Sequence, residues 1–152
     1  MQDILVVHGV GAGTLTNLCS KFIGVDSFED IFECAKNGNL KNVDLKIGDV
    51  TNTKIETLPK DITLANFGNL NENASKEDLV LGIVNMVFEV IGMMAVFALK
   101  NDSIKDVILI GNIVSIPRIE EILDRIKAIH NINFILPNDP GYSTAIGAIK
   151  SI

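Results

Sequence analysis

The feature that most constrains this chain is the segment Leu79–Leu99, LVLGIVNMVFEVIGMMAVFAL, whose only polar residues are Asn85 and Glu89. A run of this length has two physical solutions. It is long enough to span a bilayer, but a carboxylate in mid-segment is costly there. The alternative is a helix buried on most of its sides, by the core or by a partner subunit. Glu89 favours the buried helix and no membrane span. Ser75, with Asp78 three residues on, is expected to cap its start. Asn85 and Glu89 stand one turn apart on a common face, where a hydrogen-bonded polar stripe at a subunit contact is the expected role. Met86, Val90, Met93 and Phe97 recur at helical spacing. They predict the contact stripe of a homodimer formed through residues 79–99.

Composition narrows the rest. The chain has 152 residues, 47% of them hydrophobic, which suits one domain over 1–152 with a mostly aliphatic core. A net charge of −6 with no clustering of Lys and Arg argues against a nucleic-acid partner. Cys19 and Cys34 both fall in helical patterns, neither in a CxxC pair. The simplest reading is two reduced thiols, a cytoplasmic setting and no zinc or other metal site. The N-terminus has no positively charged n-region, which predicts no signal peptide.

The order of local patterns points to an α/β layer architecture. Ile4–Val7 reads as a short strand, and the turn His8-Gly9-Val10-Gly11-Ala12-Gly13-Thr14 leads into a helix opening at Leu15. Alternate glycines permit positive φ and close backbone approach. The first amides of the following helix lack intrahelical partners, an arrangement suited to a phosphate. His8 reads as a surface or capping group. Ser27 and Asp30 cap a helix with Phe28, Ile31, Phe32 and Ala35 on its apolar face, stopped by Asn37-Gly38. Asn42–Val50 alternates as a strand or extended segment. Residues 59–69 read as a loop anchored by Phe67. Val107–Ile110 is a continuous apolar run, hence a central strand covered on both faces. Gly111-Asn112 ends it, and Pro117 fits the first turn of a helix bearing Ile119, Ile122, Leu123 and Ile126. Phe134–Leu136 is a further strand, and residues 143–152 form a last helix in which Gly147 allows close packing. Ligands of such sheets bind at the carboxyl ends of strands. Two of those ends carry glycine.

In this order, GVGAGT, SFEDIFECAKNGN, NVDLKIGDV, LPKDITLANFGNL, SKEDLVLGIVNMV, VILIGN and STAIGAI resemble type II pantothenate kinases. The resemblance runs from about Ile4 to Ile149. It implies an actin-like ATPase (ribonuclease-H-like) lobe, with a mixed sheet flanked by helices. It also implies ATP-dependent phosphorylation of pantothenate, the first step of coenzyme A synthesis, with Mg2+ carried by the nucleotide. The match is to the second, nucleotide-binding and dimerising lobe of such kinases. The phosphate loop and the general base of the first lobe have no counterpart here, so no catalytic residue is assigned and the chain alone is expected to be inactive.

The resemblance also implies site residues. Gly11, Ala12, Gly13, Thr14, Leu15 and Thr16 fall on a GGG-type nucleotide segment, with Ala12 in place of a glycine. Phe28 falls where the family places an aromatic near adenine. It belongs equally to the apolar face of its own helix. Gly111 and Asn112 fall on the adenosine-side turn. The positions of an Arg and two glycines that face the acceptor read Ile4, Val6 and Val7, which weakens the match to pantothenate itself. Two other functions stay open: a non-catalytic dimerising or regulatory lobe, and an actin-like kinase for another acceptor.

Overall fold

Helix α4, Lys76–Ala98, organises the fold. A computed structural model describes residues 8–53, 58–101 and 103–150. The run Ile4–Val7 therefore lies outside the described residues. The Ser75 hydroxyl accepts from the Asp78 amide at 3.2 Å and the Asp78 carboxylate accepts from the Ser75 amide at 3.0 Å, closing the expected box. Val80, Leu81, Val84, Val87 and Phe88 are fully or almost fully buried. Each such side chain contributes roughly 1.5–3 kcal/mol by leaving water. Helices α2 (Phe28–Asn37) and α5 (Ile119–His130) pack against α4. Leu15, Ile31, Ile119 and Ile122 complete one core cluster with it. By length and composition alone α4 would cross a membrane, yet half of its most apolar window is buried inside this chain.

Two small sheets accompany the helices. Among the described residues they replace the single mixed sheet expected from sequence. Strands β1 (Leu45–Lys46) and β2 (Thr63–Ala65) are antiparallel. Strands β3 (Asp106–Ile108) and β4 (Asn133–Ile135) are parallel and joined through α5, with Ile108 opposite Ile135. The extended reading of Asn42–Val50 holds for β1 only. The chain then turns into the short helix α3, Ile47–Val50, because the Asp49 carboxylate accepts from the Lys46 amide at 2.8 Å and caps it. Residues 59–69 contain β2, and Phe67 packs against the core as anchor.

Strand β3 is not the doubly covered central strand that its sequence predicts. Leu109 packs against the core, whereas Ile108 and Ile110 are 63% and 51% exposed. Alternate residues of an extended segment face opposite ways, and among the described residues only one face of the 106–110 run is covered. Pro117 does not enter α5. Arg118 takes the N-cap position with φ 69°, held by its ion pair to Glu121 and a 2.6 Å bond to the Gly38 carbonyl. The last helix, α6, spans Ser143–Lys150. Gly147 does not serve close packing there, since nothing lies within 4 Å of where its Cβ would stand.

Asn85 and Glu89 do share a face and touch, with the Asn85 amide 3.3 Å from Glu89 Oε1. They do not wait for a subunit. The Asn85 side chain is fully buried, donating to Asp44 at 2.8 Å and accepting from Arg125 at 2.5 Å. Asp44 also accepts from the Phe67 amide at 2.9 Å, and Glu89 accepts from Asn66 at 2.9 Å. This network ties the β1–β2 region and α5 to one flank of α4. Both cysteines are free. Burial, aided by the neighbouring Cys34, pushes the Cys19 thiol up to about 11.

Candidate nucleotide-facing site

The glycine turn runs straight into helix α1, Ala12–Leu18, which continues as a π-helical segment over Cys19–Ile23. The helix thus starts three residues earlier than the sequence pattern indicates, and Ala12, Gly13 and Thr14 form its first turn. Its first internal bond is from the Leu15 amide to the Gly11 carbonyl, 3.0 Å. The amides of Ala12, Gly13 and Thr14 therefore precede any intrahelical acceptor. Thr14 closes the turn: its hydroxyl donates to the Gly9 carbonyl at 3.0 Å and accepts from the Gly11 amide at 3.4 Å. The Thr16 hydroxyl is spent within the helix, on the Ala12 carbonyl at 3.0 Å. Leu15 is a core residue at 0% exposure, and it anchors the turn from beneath.

The glycines of this turn do not serve positive φ, contrary to the expectation from their spacing. Gly11 is extended at φ −176°, and the described glycines with positive φ are Gly24 and Gly111. At Gly9, Gly11 and Gly13 a Cβ would meet nothing within 4 Å. Neither backbone strain nor packing inside this chain demands glycine there. What the three glycines leave is bare backbone facing open space.

The second glycine turn is built differently. Gly111 lies at φ 113°, a region that L side chains avoid, and its amide donates to the Pro140 carbonyl at 2.8 Å. That bond draws the 138–142 segment against Asn112. Gly141 lets the segment approach closely: a Cβ there would press on the Asn112 side-chain oxygen, which would have to turn aside. A cavity of about 460 Å3 lies at this junction, lined by Phe28 and Glu29 from the start of α2, Asn112 and Ser115, and residues 138–142. Phe28 and Asn112, far apart in sequence, thus face one cavity. Gly11–Thr16 do not line it. Tyr142 stands at its edge, 72% exposed.

The lining is chemically specific. It offers two aromatic rings, amide and hydroxyl groups, and the carboxyls of Glu29 and Asp139, with no Lys or Arg. Such a set suits a flat, neutral, hydrogen-bonding group and repels phosphate. An anion would find its donors at the α1 amides. Sequence reasoning missed Ser115 and residues 138–142. The Asn138-Asp139-Pro140-Gly141 run is a strong turn signal. Nothing local, however, says that the turn folds onto Asn112. Among the described residues no three His, Cys, Asp or Glu side chains group around a common point.

The Fumble family profile matches residues 6–150. The chain is 28% identical over 145 residues to a type II pantothenate kinase of Bacillus cereus strain G9842, covering 93% of this chain and 53% of that protein. It is likewise 28% identical to the type II pantothenate kinase of Bacillus anthracis, over 93% of this chain and 52% of that protein. The Staphylococcus saprophyticus type II pantothenate kinase is 29% identical over 68% of this chain and 41% of its own length. The chain spans about half the length of these Bacillus relatives. With its profile matched across nearly every residue, the chain belongs to the Fumble family.

Proposed function

We propose that this chain is the nucleotide-binding and dimerising lobe, the C-terminal one, of an actin-like kinase that phosphorylates pantothenate with ATP in the cytoplasm. The observation that carries the reading is the meeting of Phe28 and Asn112 across one cavity beside the strained Gly111 turn. Its aromatic and amide lining suits the adenosine, and its carboxyls turn the phosphates away toward the open α1 amides of Ala12, Gly13 and Thr14. Family membership and relatives named type II pantothenate kinase support the reaction class. The cavity offers amides, hydroxyls, two rings and the Glu29 and Asp139 carboxyls, which suit a nucleoside, and among the described residues no three His, Cys, Asp or Glu groups converge on a metal. Mg2+ would accordingly arrive on the nucleotide, where it neutralises phosphate charge. In-line transfer also needs a base on the acceptor hydroxyl. That role falls to the half of the relatives' length that this chain does not match.

Calorimetry and a coupled ADP assay test the proposal. The 152-residue chain should bind ATP near millimolar strength, about −4 kcal/mol, without phosphorylating pantothenate. Joining it to the unmatched half of a Bacillus relative should tighten binding and switch on turnover. Gly13→Val should weaken ATP binding with little change in melting temperature, because a side chain at Gly13 meets only open space within the chain. Rapid turnover by the chain alone, or ATP binding indifferent to Gly13→Val, would sink the proposal. An inert joined protein would favour a non-catalytic dimerising lobe or a different phosphate acceptor.

A further inference from the structure

The cleft of Phe28 and Asn112 holds two carboxyls, those of Glu29 and Asp139, that the fold itself does not use. Among the described residues neither side chain accepts a hydrogen bond or pairs with a cation. Nearby carboxylates do have partners: Asp26 accepts from the Ser20 hydroxyl at 2.6 Å, and Asp30 from the Ser27 hydroxyl at 2.7 Å. The helix dipole accounts for an acidic residue at Glu29, in the first turn of α2. It does not account for Asp139, which lies outside the helices. An aspartate in a turn ordinarily bonds to the turn's own backbone. Asp139 does not: its carbonyl, not its carboxyl, accepts from the Tyr142 amide at 3.1 Å and the Ser143 hydroxyl at 3.0 Å. Two unused acceptors from separate elements thus line one cavity of about 460 Å3.

The kinds of hydrogen-bonding group on the lining divide the cleft. Side-chain amides such as Asn112 both donate and accept, as the edge of a base does, whereas an ionised carboxylate only accepts. On a nucleoside, two neighbouring hydroxyl donors occur at the ribose diol and nowhere else. We infer that Glu29 and Asp139 take the ribose 2′- and 3′-hydroxyls of the nucleotide, and that the cleft thereby selects ribonucleotides over their deoxy analogues. The inference rests on the nucleotide reading of the same cleft. It gives the two carboxyls an attractive role at the sugar, beside their repulsion of phosphate. The Phe28 and Tyr142 rings are left to the base.

ATP and 2′,3′-dideoxyATP titrated into the full chain test it, followed by the ring signals of Tyr142, the single tyrosine of the sequence. The dideoxy analogue keeps the base and the phosphates and lacks both hydroxyls. It should bind about tenfold more weakly than ATP, as two charge-assisted bonds are lost. That preference should fall about threefold in Glu29→Ala and in Asp139→Ala, and to near unity when both are replaced. The ratio of the two affinities is the readout, because phosphate repulsion and any general loosening act on both nucleotides alike. Each single variant reads the ratio if the double variant fails to fold. Equal binding of the two nucleotides by the parent chain would overturn the inference and leave the nucleotide reading standing. So would variants that bind both nucleotides more tightly at an unchanged ratio, which would leave the carboxyls with repulsion alone. Absence of a saturable Tyr142 shift with either nucleotide would overturn the nucleotide reading of this cleft and the inference with it.

Discussion

Asp44 and Asp78, both buried, are held in opposite ways. Burial pushes the Asp44 carboxyl up, and the bonds it accepts from the Phe67 amide and Asn85 offset that only in part. Burial also pushes the Asp78 carboxyl up, but bonds from Asn42, the Ser75 and Asn39 amides and the Ser75 hydroxyl outweigh it, and the net shift is downward. For Asp78 the unfolded chain takes up the proton more readily than the folded one. Its contribution to stability is complete above the ordinary value of 3.8 and is lost as pH falls through the lower folded value. For Asp44 the sign reverses: its contribution is complete below 3.8 and is lost as pH rises through the higher folded value. Asp78→Ala removes a helix cap and leaves the part-buried Asn39 amide without its acceptor, so at pH 7 it should cost about 2 kcal/mol. Urea unfolding at a series of pH values should show that deficit shrinking below pH 3.8. A deficit independent of pH would mean that the charged form is not what matters.

At the scale of elements, a tight contact forms where α2 ends on α4. A Cβ on Gly38 would collide with the Glu77 carbonyl oxygen and stand 2.8 Å from Leu81 Cβ. Both belong to the first turns of α4 and have no room to retreat. Gly38→Ala should therefore destabilise by about 1–3 kcal/mol, seen as a lower urea midpoint at unchanged slope. Stability equal to the parent would show that the α2–α4 corner is looser than described. Helix α4 itself is divided along its length. Its first half is sealed by α2, α5 and the Asp44–Asn85–Arg125 network. Its second half leaves Met93, Met94 and Val96 part-buried and Phe97 exposed.

For the molecule as a whole, exposed aliphatic surface is the dominant unbalanced term. Besides Phe97, Ile108, Ile110 and Ile135 share the uncovered side of the β3–β4 pair, and Ile149 of α6 is 74% exposed. Parallel strands are ordinarily covered on both faces, so this chain presents more apolar surface than a solitary small protein usually leaves in water. A homodimer through the Met86, Val90, Met93 and Phe97 stripe is the assembly we propose, and sedimentation should find it at micromolar chain concentration. Met93→Asp should shift the equilibrium to monomer by at least tenfold, since a buried unpaired carboxylate opposes association. A parent chain that stays monomeric at high concentration, unaffected by Met93→Asp, would exclude this helix as the contact.

The sequence by itself determined what depends on neighbours along the chain. The Ser27 and Ser75 caps, the stop at Gly38, the long α4 and the apolar face of α5 all follow from spacing within one or two helical turns, which fixes dihedral preference and amphipathic period. Family membership was legible as well, because its motifs are local strings. The tertiary structure decided what depends on distant partners. Asn85 looked like one end of a subunit stripe until Asp44 and Arg125, roughly forty residues away on either side, were found to complete its bonds. Ile108 looked like core until only one face of β3 proved to be covered. The 138–142 turn became part of the cleft through the bond from the Gly111 amide to the Pro140 carbonyl and the packing of Gly141 on Asn112. Periodicity records which side chains prefer to leave water. Which surface receives them, and which backbone meets which across the chain, is settled only when the elements pack.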